Sequence, residues 1–320
     1  MADEAAHAPL AALSGTVPPA PAWFRAAIAC EPERSFVPVA GARIETLTWG
    51  ERGRPGLLFL HGSGAHADLW RFLAPFFAGT HRVAALSWSG MGGSDWRADY
   101  ALDGFAREAE AVAEHAGLFA GPVPPTAVAH SFGTMPLGTL AAGEAGERFA
   151  RVVLVDPPIF SPAHEAERKT ERPPPREPRP HRVYPDLAAA LARFRFMPPQ
   201  PCAHPFVADF VGRASLKRAP RSDAPPGDED GWTWRFDPAL WSRFRVADRS
   251  GFLPRLRCPA VLVRGERSRL LRPDDAAWLM SRLPAGTRFI AVPEADHQVM
   301  IDQPLAFVAM LRTLLAEDDA

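Results

Sequence analysis

The chain is 320 residues long, 47% apolar, with a formal net charge of −1. That is enough apolar material for a sizeable core and more length than one minimal domain needs. So even a charge balance creates no long-range field of one sign, which argues against a nucleic-acid or anionic-membrane partner. The three cysteines, Cys30, Cys202 and Cys258, are odd in number and far apart. They are expected as reduced, mostly buried thiols of a cytosolic protein.

Residues 1–20 carry Asp3 and Glu4 where a secretory leader needs basic charge, and a loose tail is expected there. No stretch approaches the apolar length that spans a bilayer. Pro21–Ala29 has the pattern of a short helix. Ser35–Val39 and Ala42–Trp49 alternate apolar and polar residues around Ala40-Gly41, an antiparallel hairpin. Gly56–Leu60 is a continuous apolar run, hence a buried strand, and ends in His61-Gly62-Ser63-Gly64. Leu69–Phe77 has helical spacing. Arg82–Ser87 is a further buried strand before the glycine-rich turn Ser89–Ser94, and Leu102–Ala116 is an amphipathic helix. A strand over Ala127–Ala129, a helix, and a strand over Arg151–Val155 follow, the last ending in Asp156-Pro157-Pro158. Strands alternating with helices predict a mostly parallel, doubly wound sheet whose functional groups gather at the strands' carboxyl ends.

From Ile159 to Leu253 the rhythm breaks. Arg172–Arg182 is rich in proline and arginine, Leu187–Phe196 looks helical, and Ala219–Gly231 reads as a polar loop. Gly231–Pro238 is densely aromatic. The sheet pattern resumes at Ala260–Val263, with a helix over Pro273–Leu283, a last strand over Arg288–Val292 and a closing helix over Pro304–Ala316. The middle stretch, 159–253, is therefore an insertion over the strand ends, between core segments 1–158 and 254–320.

Chemistry concentrates around Ser131. A serine at the apex of a strand-to-helix turn takes a strained backbone, so its neighbours two positions away must be small. Here they are Ala129 and Gly133. Four stretches then fall in order: His61–Gly64, Gly90–Ser94, the turn at Ser131, and His297 followed by Val299–Pro304. On these the chain resembles an α/β-hydrolase with an inserted, mainly helical cap, over nearly its whole length. The resemblance implies Ser131 as nucleophile and His297, in the loop after the last strand, as its base. It implies an oxyanion hole from the backbone N–H groups of Ser63 and Phe132. The triad acid departs from the common pattern. The loop that usually supplies it reads Gly265-Glu266-Arg267-Ser268-Arg269-Leu270. In some relatives the acid instead follows the strand after the nucleophile, and Asp156 occupies that place. Glu266 and Asp274 stand in reserve.

Trp232, Trp234, Phe236 and Trp241, with Phe194 and Phe196, are candidates to line an apolar pocket. His61 and Gly62 adjoin it, His61 bracing the oxyanion loop, and Arg195 and Arg235 sit among these aromatics. The expected function is a serine hydrolase acting through an acyl-enzyme on an ester or lactone with an apolar or aromatic group. The alternatives are C–C hydrolysis of a meta-cleavage-type dienoate and an inactive ligand-binding homologue. A carboxylate nucleophile, as in dehalogenases and epoxide hydrolases, is excluded by the serine at 131. The expected partner is a small molecule. No metal or organic cofactor is expected, since histidines and acids do not cluster at ligand spacing.

Overall fold

The computed structural model of the chain describes residues 7–171, 177–221, 230–245 and 248–318. Eight strands form one sheet. β1 (Glu33–Val39) and β2 (Ala42–Trp49) make the predicted hairpin, closed by Ala40 and Gly41 at φ 46° and 81°. Both central residues of so tight a turn need positive φ, which glycine adopts freely. The others are β3 (Gly56–Leu60), β4 (Arg82–Leu86), β5 (Thr126–His130), β6 (Arg151–Val155), β7 (Ala260–Gly265) and β8 (Arg288–Val292). Their spatial order is β1-β2-β4-β3-β5-β6-β7-β8, antiparallel as far as β4 and parallel from there on.

Each central strand is apolar on both faces because both are covered. Leu58 and Leu60 of β3, Ala129 of β5 and Leu154 of β6 share one core with Phe105 and Val112 of α2 (Leu102–Ala116), Leu137 of α3 (Thr134–Ala142) and Leu279 of α7 (Pro273–Arg282). The intervening residues Leu57, Phe59, Val128 and Val153 face the other way. They pack with Phe24 of α1 (Ala22–Ala29) and with Phe307 and Leu311 of α8 (Pro304–Asp318). This period-2 sorting is what a pleated strand imposes on a run that looks uniform in sequence.

Between β6 and β7 lie α4 (Pro162–Glu171), α5 (Leu187–Leu191), α6 (Pro205–Ala214), an antiparallel pair of strands (Leu216–Pro220 with Asp230–Trp234) and a short helix, Leu240–Arg243. The segment is tied to the core through buried polar contacts. Asp237 N–H donates to the Gly90 carbonyl at 2.7 Å, and the Tyr100 hydroxyl donates to Asp237 Oδ2 at 2.8 Å. His66 Nε2 meets Ser215 Oγ at 2.9 Å, and Arg235 pairs with the buried Glu45 at 3.5 Å.

Several local expectations are corrected. Leu69–Phe77 is not a helix but two short 3-10 turns, Ala67–Trp70 and Ala74–Phe76. Pro75 supplies no N–H and its ring blocks a continuous α-helical ladder. The predicted helix Leu187–Phe196 stops at Leu191, where the chain turns to set Phe194 and Phe196 edge to face, 5.1 Å apart. The ends of the expected loop 219–231 are strand; residues 222–229 lie outside the described residues, as do 172–176 of the proline- and arginine-rich stretch. Residues 7–20 are not loose throughout, since Leu10 is buried in the core of α1 and α6. Cys258 is buried, Cys202 half-buried, and Cys30 exposed rather than covered; all three are free thiols. No helix among the described residues is long and apolar enough to cross a membrane.

Candidate active site

Neighbouring strands set the site. Leu60 of β3 registers with Ala129 of β5, His130 with Val155 of β6, Val155 with Val263 of β7, and Gly265 with Val292 of β8. Since these five strands run the same way, their carboxyl-end loops open along one edge in that order. They present His61–Gly64, Ser131, Asp156, the 266–271 loop and His297 side by side.

At the end of β5, Ser131 takes φ 51°, and α3 follows after one 3-10 turn. Gly133 permits the turn: a Cβ there would stand 2.6 Å from the His61 carbonyl oxygen and 3.0 Å from that of Leu60. Ala129, two residues before Ser131, is small enough to be fully buried. The His61–Gly64 loop passes directly over the hydroxyl, because a Cβ on Gly62 would lie 2.9 Å from Ser131 Cβ and 3.4 Å from its Oγ.

His297 reaches back to this serine from 166 residues away, with Nε2 3.0 Å from Ser131 Oγ. Its Nδ1 is 2.7 Å from Asp156 Oδ2. The Nδ1–H donates to the carboxylate, so Nε2 carries the lone pair and accepts the serine proton. Asp156, itself at φ 47° and fully buried, takes two further donors: Ser268 Oγ at 2.6 Å and Gly265 N–H at 3.2 Å. Burial lowers the His297 pKa to about 4, opposed by the Asp296 charge, so the ring is a neutral base at neutral pH. Burial raises that of Asp156, opposed first by the Ser268 hydrogen bond.

The His297 loop is held from two sides. His130 Nε2–H donates to the His297 carbonyl at 2.9 Å, and burial lowers the His130 pKa to about 3. From the insertion, Gln200 accepts the Gln298 N–H at 2.9 Å and donates to Asp302 at 3.0 Å, and Asp302 accepts the Asp296 N–H at 2.9 Å. None of these roles had a local signal in the sequence, since they depend on which loops meet. His61 braces its own loop: Nδ1–H donates to the Gly62 carbonyl at 2.7 Å and Nε2 accepts the Trp88 N–H at 3.1 Å. Desolvation lowers its pKa to about 3. A proton on Nε2 would also set one N–H against another.

A cavity of about 210 Å³ opens beside Ser63 and Gly64. Phe194, Phe196, Trp234 and Phe236 line it as expected, with Gln298 next to His297 and Arg193 and Arg195 also on its wall. His61, Gly62, Trp232 and Trp241 do not. His61 is buried behind the loop, and Trp232 packs in the insertion's strand pair under the Arg218 guanidinium, 4.8 Å from its ring. The Phe132 ring is wedged among Phe105, Trp241 and Phe244 at 5.2–5.6 Å. Glu266, the reserve acid, is exposed and accepts the Glu294 N–H at 3.1 Å, and Asp274 is exposed at the start of α7. Among the described residues no three His, Cys, Asp or Glu side chains stand together as a metal ion would require.

Solved structures share this architecture. The thioesterase domain from the curacin biosynthetic pathway matches with a TM-score of 0.68 at 21% identity, over 87% of this chain and 98% of its own. E-2-(acetamidomethylene)succinate hydrolase gives 0.69 at 20% identity, over 89% and 100%. An esterase from Mycobacterium tuberculosis gives 0.65 at 23% identity, over 98% of each chain. At such identities the likeness concerns the fold. The family match comes from the sequence itself: residues 57–310 fit the alpha/beta hydrolase family. Covering most of the chain, strands and loops alike, that match makes the protein a member of the alpha/beta hydrolase family.

Proposed function

We propose that the protein is a serine hydrolase that works through an acyl-enzyme, cleaving a carboxylic ester or lactone with an apolar or aromatic group. The carrying observation is the relay from Ser131 Oγ to His297 Nε2 at 3.0 Å and from His297 Nδ1 to Asp156 Oδ2 at 2.7 Å. As Ser131 Oγ bonds to the substrate carbonyl carbon, His297 Nε2 takes the hydroxyl proton, and the Asp156 charge stabilises the imidazolium. Negative charge collects on the carbonyl oxygen, where the backbone N–H groups of Ser63 and Phe132 receive it. One such donor is worth about 100- to 1,000-fold in turnover. Collapse breaks the bond to the leaving alcohol, which takes the proton from His297. Water, deprotonated by His297, then attacks the acyl carbon and frees Ser131. The insertion acts as a cap, and the cavity beside Ser63 holds the substrate's apolar group between Phe194, Phe196, Trp234 and Phe236. The thioesterase and esterase among the structural neighbours agree with acyl transfer.

A fluorophosphonate probe labels the wild type at Ser131 and leaves Ser131→Ala unmodified, and a p-nitrophenyl ester panel is turned over only by the former. Turnover of a ring-cleavage dienoate in place of every ester would move the bond broken to C–C. Absence of labelling would remove the catalytic reading.

A further inference from the structure

Ser268 lies in the loop after β7 and is buried. Its hydroxyl and the His297 Nδ1–H converge on one oxygen, Asp156 Oδ2, at 2.6 and 2.7 Å. The hydroxyl is itself oriented, because its oxygen accepts the Leu271 N–H at 3.2 Å, which leaves its proton for the carboxylate. The loop that delivers it is clamped by the buried Arg264 of β7. That guanidinium donates to the carbonyls of Leu271, Glu266 and Ser268 at 2.7, 3.0 and 3.2 Å. A buried cation is spent on fixing this one turn.

We infer that Ser268 is a positioning residue for the hydrolysis: its hydroxyl keeps the Asp156 carboxylate charged and aimed at the His297 imidazole. The inference rests on the Ser131–His297–Asp156 reading given above. A carboxylate buried without donors takes up a proton, and a neutral acid cannot stabilise the imidazolium that forms during attack. A hydroxyl donating to the ionised form opposes this, and charge-assisted bonds are the strong ones. The other groups facing the carboxylate are Arg264 of β7, His130 at the end of β5, His297 after β8 and the Gly265 N–H. Replacing Ser268 leaves all of these in place.

The test is the pH profile of kcat/KM on an activated ester for wild type, Ser268→Cys and Ser268→Ala. Loss of the donor makes the Asp156–His297 pair take its proton at higher pH. In Ser268→Ala the acid limb therefore moves up by about one pH unit, so the rate falls below the wild type's on that limb, approaching about tenfold at its foot, while the rate at pH 7 stays on the plateau. Ser268→Cys keeps nearly the same shape with a weaker donor, and lies between the two. A role confined to holding the loop through Leu271 would lower the rate equally at every pH. An acid limb unchanged in both variants overturns the inference. Ser131→Ala, measured alongside, separates the two readings. If it retains turnover, the triad itself falls; if it is inactive while both Ser268 variants keep the wild-type profile, only the role of Ser268 falls.

Discussion

Ser131 and Asp156, at the ends of adjacent strands, both hold positive φ, a conformation that costs a residue with a side chain about 1–3 kcal/mol. Strain at two facing positions is kept because the surrounding backbone over-determines it. Gly133 is one of the determinants, and Gly133→Ala is expected to destabilise by about 1–3 kcal/mol, since its Cβ meets the His61 and Leu60 carbonyls; urea unfolding measures this. Asp156→Asn puts an amide where Nδ1–H needs a charged acceptor, and kcat is expected to fall about 10,000-fold. Glu266→Gln, changing an exposed carboxylate on the Glu294 N–H, is expected to stay within about twofold of wild type. The reverse ranking would move the acid to the 266–271 loop. Because burial holds the His297 pKa near 4, its proton-accepting form persists into mild acid. The wild-type kcat/KM is thus expected to hold from neutral pH down to about 5 and to drop only below that; an acid limb at pH 6.5 would contradict a buried, neutral base.

At the scale of elements, the insertion's grip on the core depends on a few buried polar residues. Asp237 is 2% exposed, accepts from the Tyr100 hydroxyl and the Ala239 N–H at 2.8 Å each, and pairs with Arg243 at 3.3 Å. Asp237→Ala strands the buried Tyr100 hydroxyl and is expected to cost about 2–3 kcal/mol, read from the urea midpoint. Strands β3, β6 and β8 were predicted to the residue, because continuous apolar runs between turn signals are purely local information. The Leu69–Phe77 stretch departs from its helical spacing for an equally local reason, the proline at 75. The paired strands Leu216–Pro220 and Asp230–Trp234 had no comparable signal. The first is broken by Lys217 and Arg218 and ends in proline, the second opens on Asp230-Gly231 before its two tryptophans, and what makes them strand is each other.

Across the whole molecule, folding shifts buried titratable groups in both directions. Among the described residues, His61, His66, His130, His181 and His297 are all held below the ordinary histidine value, chiefly by burial. For these the unfolded chain takes the proton first, so stability present above pH 6.5 is lost as pH falls through the folded values, about 3 to 4 where they are most depressed. Glu108, Asp156 and Asp302 are raised by burial and act with the opposite sign, binding protons first in the folded state. The lowered histidines outnumber the raised carboxylates, so net stability is expected to fall as pH drops below the ordinary histidine value. Urea midpoints at pH 6.5, 5.5 and 4.5 are expected to fall accordingly, less steeply in His61→Gln; a flat series would contradict the burial of these rings as neutral bases.

Local pattern alone determined the class of fold, the order of the strands along the chain and the turn at Ser131. Each of these follows from backbone preferences and apolar periodicity within a few residues. The family resemblance added His297 and Asp156 to Ser131 as groups that ought to meet. That they do, across 141 and 166 residues of intervening chain, is decided by the register of five parallel strands. The same juxtaposition decided that Ser268 faces Asp156, that Gln200 holds the His297 loop, and that Phe194 lines the cavity while Trp232 and the Phe132 ring pack elsewhere. Which side chains share a pocket depends on how loops distant in sequence are stacked and desolvated together, and no short stretch of residues carries that information.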